Sequence, residues 1–310
     1  MRGIFLSNPF SYLCSTHSKG YTDMSKTIIR ANTAGFCMGV DLALRKLDRV
    51  VTENTCHQQI CTLGPIIHNP QVLRHYADQG VIQADSVQNV PAGSCVVIRA
   101  HGVPLDVQKE LQKTGVHIVD ATCPKVKKAQ MLIADQTRNG RCLLLFGEPD
   151  HPEVAGLLSY AAHRAQVIEH VDMVDVLNLE PEQAYFLAAQ TTQDRAEFQE
   201  VVRRLEGRLG TSFPVLDTIC DATRERQEEA MQIARQVDVM LVVGGLASGN
   251  TRRLAKVVQA QGVPSIHIES AHDVPIQDMQ HACRVGITAG ASTPREVIDA
   301  VEQKVAAWRD

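Results

Sequence analysis

Three cysteines lie at comparable places in the sequence, one in each third of the chain, and their side chains are the first candidates for chemistry. Cys37, Cys123 and Cys220 each follow a short apolar run and precede a stretch with helical periodicity. A disulfide framework is not expected, because the count of nine cysteines is odd and no export signal is visible. Three converging thiolates suit an iron–sulfur cluster better than a structural zinc ion, which takes four ligands.

The other cysteines favour simpler interpretations. Cys95, Cys142 and Cys283 lie in or beside strand-like apolar runs, so we predict that they are small buried hydrophobic residues. Cys56 and Cys61, in CHQQIC, offer an alternative metal site. This alternative is weak because no matching second pair follows and Cys61 is expected to enter a strand.

Polar residues follow two further strands in each unit of the cysteine repeat. After each cysteine, an apolar strand ends in glycine, and four positions later comes His68, His151 or Ser248. A third strand then ends in a small turn that bears His101, Thr191 or Ser292. Ligands bind at the carboxyl ends of parallel strands, where helices begin. We therefore expect these side chains and the cysteines to face one central cavity.

The elements that must position these side chains alternate between short apolar runs and longer amphipathic stretches, which predicts α/β units with mostly parallel sheets. We predict three units related by a pseudo-threefold axis and arranged as a trefoil around a central iron–sulfur cluster. Their predicted bounds are 39–122, 123–216 and 217–310. Residues 1–26 are expected to be a disordered lead-in with Met24 as an alternative start. Residues 27–38 are expected to form a strand and cysteine loop, the strand completing the sheet of the third unit.

Composition narrows the possible functions. The chain has 31 Lys and Arg against 35 Asp and Glu, a formal net charge of −4, so we expect no nucleic-acid partner. No apolar run approaches the roughly 20 residues of a membrane span. Because the N-terminal residues also lack the features of a secretory signal, we expect a cytoplasmic protein without a membrane partner.

Several short motifs, taken in order along the chain, resemble those of one known family, the 4-hydroxy-3-methylbut-2-enyl diphosphate reductases of the non-mevalonate route to isoprenoids. The matching motifs are AGFCMGVDLA, IIHNPQV, AHGV, DATCP, HPEVAG, QTT, RQEEA and TAGAS. They begin at Ala34 and end at Ser292. No single motif is sufficient, but their order and spacing together are specific.

The resemblance implies roles for individual residues. Cys37, Cys123 and Cys220 would hold one 4Fe-4S cluster with an open apical iron, to which the substrate's allylic hydroxyl is expected to bind. Glu153 matches the proton-delivering acid, with His151 beside it in the catalytic group, and Thr191 matches the residue that orients the hydroxyl and a nearby water. The positions that match diphosphate-binding residues are His68, His101, His151, Ser248, Gly249, Asn250 and Ser292.

The predicted function is the reductive dehydroxylation of 4-hydroxy-3-methylbut-2-enyl diphosphate, giving isopentenyl and dimethylallyl diphosphates. The electrons would come from reduced ferredoxin or flavodoxin, because the sequence carries no convincing nicotinamide or flavin fingerprint. Two alternatives stay open from the sequence. One is a three-cysteine cluster lyase or dehydratase resembling quinolinate synthase, and the other is a non-enzymatic cluster-based redox sensor.

Three positions depart from the family pattern, namely Gly249, Lys127 and Gln130. A second serine, a threonine and a histidine, respectively, are frequent there, so we expect changed substrate affinity within the same reaction class. Three further matching residues are expected to brace loops, namely Gln190, Arg226 and Gln227. Gly35 and Gly39, which flank Cys37, are expected to let the backbone pack closely around a cluster.

Overall fold

The computed structural model describes residues 26–54, 58–162 and 165–308, so the predicted lead-in, apart from its last residue, and Cys56 lie outside the described residues. Within these ranges the strands are β1 (Thr27–Arg30), β2 (Ile60–Leu63), β3 (Ile82–Ala84), β4 (Cys95–Ile98), β5 (His117–Asp120), β6 (Cys142–Phe146), β7 (Ala165–Ile168), β8 (Tyr185–Ala189), β9 (Val239–Val243), β10 (Ser265–Ile268) and β11 (Arg284–Ala289). The helices are α1 (Met38–Thr52), α2 (Pro70–Asp78), α3 (Leu105–Lys113), α4 (Pro124–Arg138), α5 (Pro152–Leu158), α6 (Arg195–Leu209), α7 (Asp221–Ala234), α8 (Gly249–Gln259) and α9 (Arg295–Ala306). None of the described helices has the length and apolar character needed to cross a membrane.

The strands form three small sheets, and every pairing within them is parallel. The strand orders are β3-β2-β4-β5, β7-β6-β8 and β1-β11-β9-β10. Parallel neighbours need crossover connections, and helices supply most of them here. The predicted α/β fold with three parallel sheets is confirmed.

The central strands are apolar along their length because each sheet is covered on both faces. In β6, the four residues Leu143, Leu144, Leu145 and Phe146 are fully buried and alternate between two separate core clusters. The central strand β9 of the third sheet divides its side chains between two clusters in the same way. Such continuous apolar runs are typical of parallel strands buried on both faces.

The segments that lead to the three cysteines occupy equivalent sheet edges, but one of them is much shorter than the sequence predicts. β1 lies beside β11 and β5 lies beside β4, whereas the predicted strand before Cys220 is reduced to a single bridge between Val215 and Leu187. The cause is Thr218, whose hydroxyl accepts from the Ala189 amide (2.8 Å) and donates to the Ala189 carbonyl (2.7 Å). A side chain therefore takes over the backbone pairing at this edge.

The cysteines outside the repeat are not all buried. Cys61 lies in β2, as predicted, and Cys95 in β4 is buried, as predicted, whereas Cys142 at the start of β6 is only half-buried. The prediction for Cys283 is wrong, because this residue is exposed. Cys283 lies in the turn before β11, where its amide donates to the carboxylate of Asp238 (2.9 Å). It therefore precedes the buried part of that strand.

Candidate active site

All twelve predicted site residues line a single cavity. Three of them, Cys37, Cys123 and Cys220, are free thiols, and each is the N-cap of a long helix, α1, α4 or α7. The amides and dipole of a helix N-terminus favour negative charge, so each position favours a thiolate. The other residues follow the ends of strands on the remaining sides of the cavity.

Opposing effects act on the pKa of the cavity thiols. Burial raises the pKa of Cys123 and Cys220, and negative charge on neighbouring cysteines raises it further. Backbone amides at the helix starts, such as those of Lys125 and Ala222, act in the opposite direction. Three adjacent thiolates therefore need a positively charged ligand, and a coordinating metal centre supplies that charge.

The two glycines that flank Cys37 are required for different reasons. A Cβ atom at Gly39 would lie 2.4 Å from the sulfur of Cys123, so glycine leaves the space that this sulfur fills. Gly35 has a φ of +113°, a backbone conformation that residues other than glycine rarely adopt. A Cβ there would come no closer than 3.5 Å to Ile298, so its backbone conformation, and not crowding, requires glycine.

The cysteine loops are tied to the turns after the third strand of each unit by one repeated hydrogen bond. These bonds join the amides of Cys37, Cys123 and Cys220 to the carbonyls of Ala291 (3.2 Å), Ala100 (2.9 Å) and Thr191 (2.8 Å), respectively. Each acceptor lies two residues after the end of its strand, β11, β4 or β8. The pseudo-threefold repeat therefore extends to individual hydrogen bonds, and it places the thiols beside the polar turns.

The carboxyl group of Glu153 is buried against the cavity and is only 2% exposed. The Thr191 amide donates to its Oε1 (2.6 Å), and the Thr191 hydroxyl lies 3.0 Å from its Oε2. Burial raises the pKa of Glu153, although these hydrogen bonds and the charge of Arg253 act to lower it. A carboxyl in this setting is suited to hold a proton near neutral pH.

Three histidines form a compact group on the wall beside Glu153. The ring centroids of His68 and His101 are 4.8 Å apart, and those of His101 and His151 are 5.4 Å apart. Burial lowers the pKa of all three, to about 4 for His151, so the rings are neutral at neutral pH.

The tautomer of His151 decides between two ligands for this group. The ring nitrogens lie within 4.8 Å of one another, a spacing that could hold a metal ion. The amide of Glu153, however, donates to Nδ1 of His151 (3.1 Å), which leaves the proton on Nε2. A ring that presents an N–H is a donor for an anion, so the group fits an anionic ligand better than a metal ion.

The third unit adds hydroxyl and amide groups to the same wall. Ser248 caps α8 and accepts from the Thr251 amide (3.3 Å), so this helix starts at Gly249. The Ser292 hydroxyl lies 3.3 Å from the His68 carbonyl, to which it donates. Nδ2 of Asn250 and Nδ1 of His101 are buried without a hydrogen-bond partner, and a polar ligand in the cavity would supply one.

The structure gives a local reason for glycine at position 249. A Cβ atom there would lie 3.3 Å from both carboxylate oxygens of Glu148, so a serine would need the carboxylate to shift. That carboxylate is held by Arg253 (2.6 Å) and Arg252 (3.1 Å) of α8. Glu148 and Arg253 are not among the residues predicted from the sequence. Arg253 lies four residues after Gly249 on the same face of α8, but glycine has no side chain to pair with it, so the local sequence carries no signal for this contact.

The other two departures from the family pattern lie away from the cavity. Lys127 pairs with Asp120 (2.5 Å), and Gln130 is buried beside Gly102, outside the cavity lining. Both belong to α4, the helix that Cys123 caps. Neither side chain is placed to contact a ligand in the cavity, so we expect them to affect it only through packing.

Arg226 braces the loop of Cys37, as predicted for this group of residues. Its guanidinium is buried and donates to the carbonyls of Thr33, Ala289 (2.6 Å) and Gly35 (2.9 Å). Gln190 also braces a loop, because its Oε1 accepts from the Glu148 amide (3.0 Å). Gln227 is buried in α7.

Comparisons with known proteins agree on one family. The family profile described as "LytB protein" matches residues 28–306. The 4-hydroxy-3-methylbut-2-enyl diphosphate reductase of Nitratidesulfovibrio vulgaris strain Miyazaki F is 59% identical over 277 residues, covering 89% of this chain and 98% of that protein. The reductase of the same name from Citrifermentans bemidjiense is 40% identical over 280 residues, covering 90% of this chain and 97% of that protein.

Solved structures show the same fold. The E-1-hydroxy-2-methyl-but-2-enyl-4-diphosphate reductase of Plasmodium falciparum superposes with a TM-score of 0.86 at 26% identity, covering 90% of this chain and 87% of that chain. A second structure, of (E)-4-hydroxy-3-methyl-but-2-enyl diphosphate reductase, has a TM-score of 0.66 at 36% identity and covers 90% of this chain and 99% of that chain. The chain therefore belongs to the LytB protein family, whose curated relatives above bear the name 4-hydroxy-3-methylbut-2-enyl diphosphate reductase.

Proposed function

We propose that this chain is a reductase that removes the allylic hydroxyl of 4-hydroxy-3-methylbut-2-enyl diphosphate and yields isopentenyl and dimethylallyl diphosphates. Two electrons and two protons enter, the allylic C–O bond breaks, a C–H bond forms and water leaves. The observation that carries the proposal is the shared cavity, in which three thiols, one buried acid and a wall of hydrogen-bond donors face one another.

The thiols fit an iron–sulfur cluster, which we propose to be of the 4Fe-4S type with one iron unliganded by protein. Cys37, Cys123 and Cys220 would hold it, since all three cap helices and line the cavity. The glycine at position 39 leaves room for the sulfur of Cys123. When bound, the cluster would supply electrons one at a time and Lewis acidity near the substrate hydroxyl.

Glu153 and Thr191 would deliver a proton to the leaving hydroxyl. The Thr191 amide occupies Oε1 of Glu153, so a proton on the carboxyl group belongs on Oε2, which lies 3.0 Å from the Thr191 hydroxyl. That hydroxyl can accept the proton from Oε2 while donating its own to a group in the cavity. The two residues thus form a short relay from a buried acid to the substrate.

The wall of His68, His101, His151 and the α8 residues would hold the diphosphate. Neutral imidazoles offer one N–H each, and for His151 the Glu153 amide fixes that N–H on Nε2. Ser248 and the Gly249 and Asn250 amides add further donors at a helix N-terminus. The Ser292 hydroxyl would add another by turning from the His68 carbonyl toward the ligand. Donors of this kind bind an anion without activating it, which suits a diphosphate that stays intact.

The two alternatives from the sequence are less favoured. A redox sensor leaves the wall of anion donors without a purpose, and no relative named above is a dehydratase. The relatives named above are reductases of an allylic diphosphate. For the electron source, we propose reduced ferredoxin or flavodoxin.

The decisive experiment is anaerobic reconstitution of the protein with iron and sulfide, followed by turnover with the hydroxylated diphosphate and a strong one-electron reductant. We expect release of both five-carbon diphosphates in proportion to cluster content. Cluster-loaded protein that consumes no substrate would contradict the proposal. The same preparation, assayed with reduced ferredoxin and with reduced flavodoxin, would identify the competent electron donor.

A further inference from the structure

A largely buried arginine on α8, Arg253, joins the wall of the proposed diphosphate site to the loop that holds the acid. Nη2 of Arg253 donates to Oε1 of Glu148 (2.6 Å), and its Nη1 donates to the Thr192 carbonyl (2.7 Å). The Arg253 side chain is only 11% exposed. One guanidinium therefore connects α8, the loop after β6 and the loop after β8.

The loop after β8 is the one that contacts Glu153. Thr192 directly follows Thr191, whose amide and hydroxyl contact the Glu153 carboxyl. Gln190, fully buried, closes the connection: its Oε1 accepts from the Glu148 amide (3.0 Å), and its Nε2 donates to the Thr192 hydroxyl (3.2 Å). Residues 190–192 are thus held by Glu148 at one end and by Arg253 at the other, and Glu148 and Arg253 also bind each other.

The position of this connection explains what it can transmit. The N-terminus of α8 carries Ser248 and Asn250 on the cavity wall, while Arg253 lies one helical turn further along. Glu148 and Arg253 line a larger cleft that shares His68 and His151 with the cavity. Neither residue lines the cavity itself, so both stand behind its wall.

We propose that Arg253 is a positioning residue that couples occupation of the α8 N-terminus to the placement of Thr191 against Glu153. The inference rests on the proposed function for its kinetic consequence. Its mechanical part rests only on the contacts above. A helix moves as a rigid body, so a shift of α8 on binding an anion reaches Thr192 through the planar guanidinium fork.

The neighbouring Arg252 is a matched control on the same helix. It binds the same carboxylate, Glu148, at 3.1 Å, but its side chain is 45% exposed. No hydrogen bond joins it to Thr192 within the described residues; its other bond goes to the Leu246 carbonyl (3.3 Å). An exposed ion pair of this type contributes little, so Arg252→Gln tests the loss of charge without the loss of the connection.

The test is amide hydrogen exchange of the cluster-loaded protein with and without inorganic diphosphate. In the wild type and in Arg252→Gln, we expect diphosphate to slow exchange in both the α8 N-terminus and residues 190–194. In Arg253→Gln, we expect protection at α8 to remain and protection of the 190–194 loop to be lost. Exchange in Arg253→Gln that matches Arg252→Gln in both segments would overturn the proposal.

Steady-state kinetics give the second measurement. We expect Arg253→Gln to lower kcat by about 10- to 100-fold, since small misplacements of a reacting group have effects of this size. We expect KM to change by less than about threefold, because binding to α8 persists. Arg253→Lys keeps the charge but cannot span both Glu148 and Thr192, so its kcat should lie between those of Arg253→Gln and the wild type. A wild-type kcat in Arg253→Lys would contradict a role for the guanidinium fork.

The two readouts separate the possible failures. If the wild type does not turn over, the proposed function fails, while the exchange experiment with inorganic diphosphate still tests the coupling. If Arg253→Gln unfolds, as circular dichroism would show, Arg253→Lys carries both measurements. Wild-type kcat and wild-type loop protection in Arg253→Lys would then overturn the proposal.

Discussion

The thiol side and the donor side of the cavity are both made from helix N-termini that follow parallel strands, yet their side chains differ in regularity. The thiol side repeats cysteine three times as the N-cap of α1, α4 and α7. The donor side places His68, His151 and Ser248 at equivalent positions, five residues after the ends of β2, β6 and β9. The fold repeats on both sides, but only the thiol side keeps one residue type.

This difference reflects the shapes of the proposed ligands. An iron–sulfur cube can accept three equal ligands around an axis, so identical side chains at equivalent positions suit it. The substrate has no such symmetry: one end is an anion and the other an alcohol that needs a proton. Glu153 accordingly appears once, in the second unit, and its hydrogen bonds to Thr191 are specific to that unit.

The largest effect is expected from breaking the repeated set. Cys37→Ser should reduce bound iron and sulfide sharply and abolish turnover, because a hydroxyl is a poor ligand for this type of centre. Cys142 lies at the start of β6 and outside the cavity lining, so Cys142→Ser should keep the bound iron and sulfide and the turnover of the wild type. Iron and sulfide analysis per chain checks this prediction, and cluster loss in Cys142→Ser would show that the cysteines are divided wrongly.

The unique acid should affect the reaction without affecting the cluster. Glu153→Gln keeps an oxygen for the Thr191 amide but cannot supply the proton, so we expect kcat to fall by about 10²- to 10⁴-fold. Cluster content and inorganic diphosphate binding should stay at wild-type levels. Single-turnover kinetics together with calorimetric titration would test this, and normal turnover would remove Glu153 as the proton donor.

Crowding at Gly39 should weaken the thiol side alone. Gly39→Ala places a methyl group 2.4 Å from the sulfur of Cys123, and overpacking of this kind costs about 1–3 kcal/mol. We expect incomplete cluster loading at limiting iron. Gly207→Ala is the matched control, since a Cβ there meets nothing within 4 Å. Equal iron titration curves for the two variants would show that the Cys123 loop adjusts freely.

The last effect is confined to acid pH: it changes the stability of the donor side there and leaves the protein unaffected at neutral pH. His151 has a pKa of about 4 when folded and an ordinary pKa of 6.5 when unfolded, so the unfolded chain binds the extra proton first. Stability should therefore fall as the pH drops through this window, with His151 contributing up to about 3 kcal/mol. Urea unfolding of the wild type and of His151→Gln at several pH values measures the contribution as a difference in slope. Parallel pH profiles would contradict it.

The sequence was sufficient for features that depend on local repeats. The three cysteines and the glycines after β2, β6 and β9 follow from the regular spacing of motifs along the chain. Contacts between distant segments were not accessible. Glu148 and Arg253 are 105 positions apart, and nothing in either local pattern indicates that they meet. The shortened strand before Cys220 depends in the same way on where the Thr218 hydroxyl lies in space.

The pairing of β1 with β11 has a consequence for how the protein is made. Cys37 is translated first of the three proposed cluster ligands, but its strand pairs with β11 in the last sheet, and its amide bonds to Ala291. A nascent chain on the ribosome cannot place this thiol until nearly all of its length has emerged. Insertion of the proposed cluster should therefore wait until β11 has been synthesised, so translation products truncated before β11 should lack the complete three-thiol site.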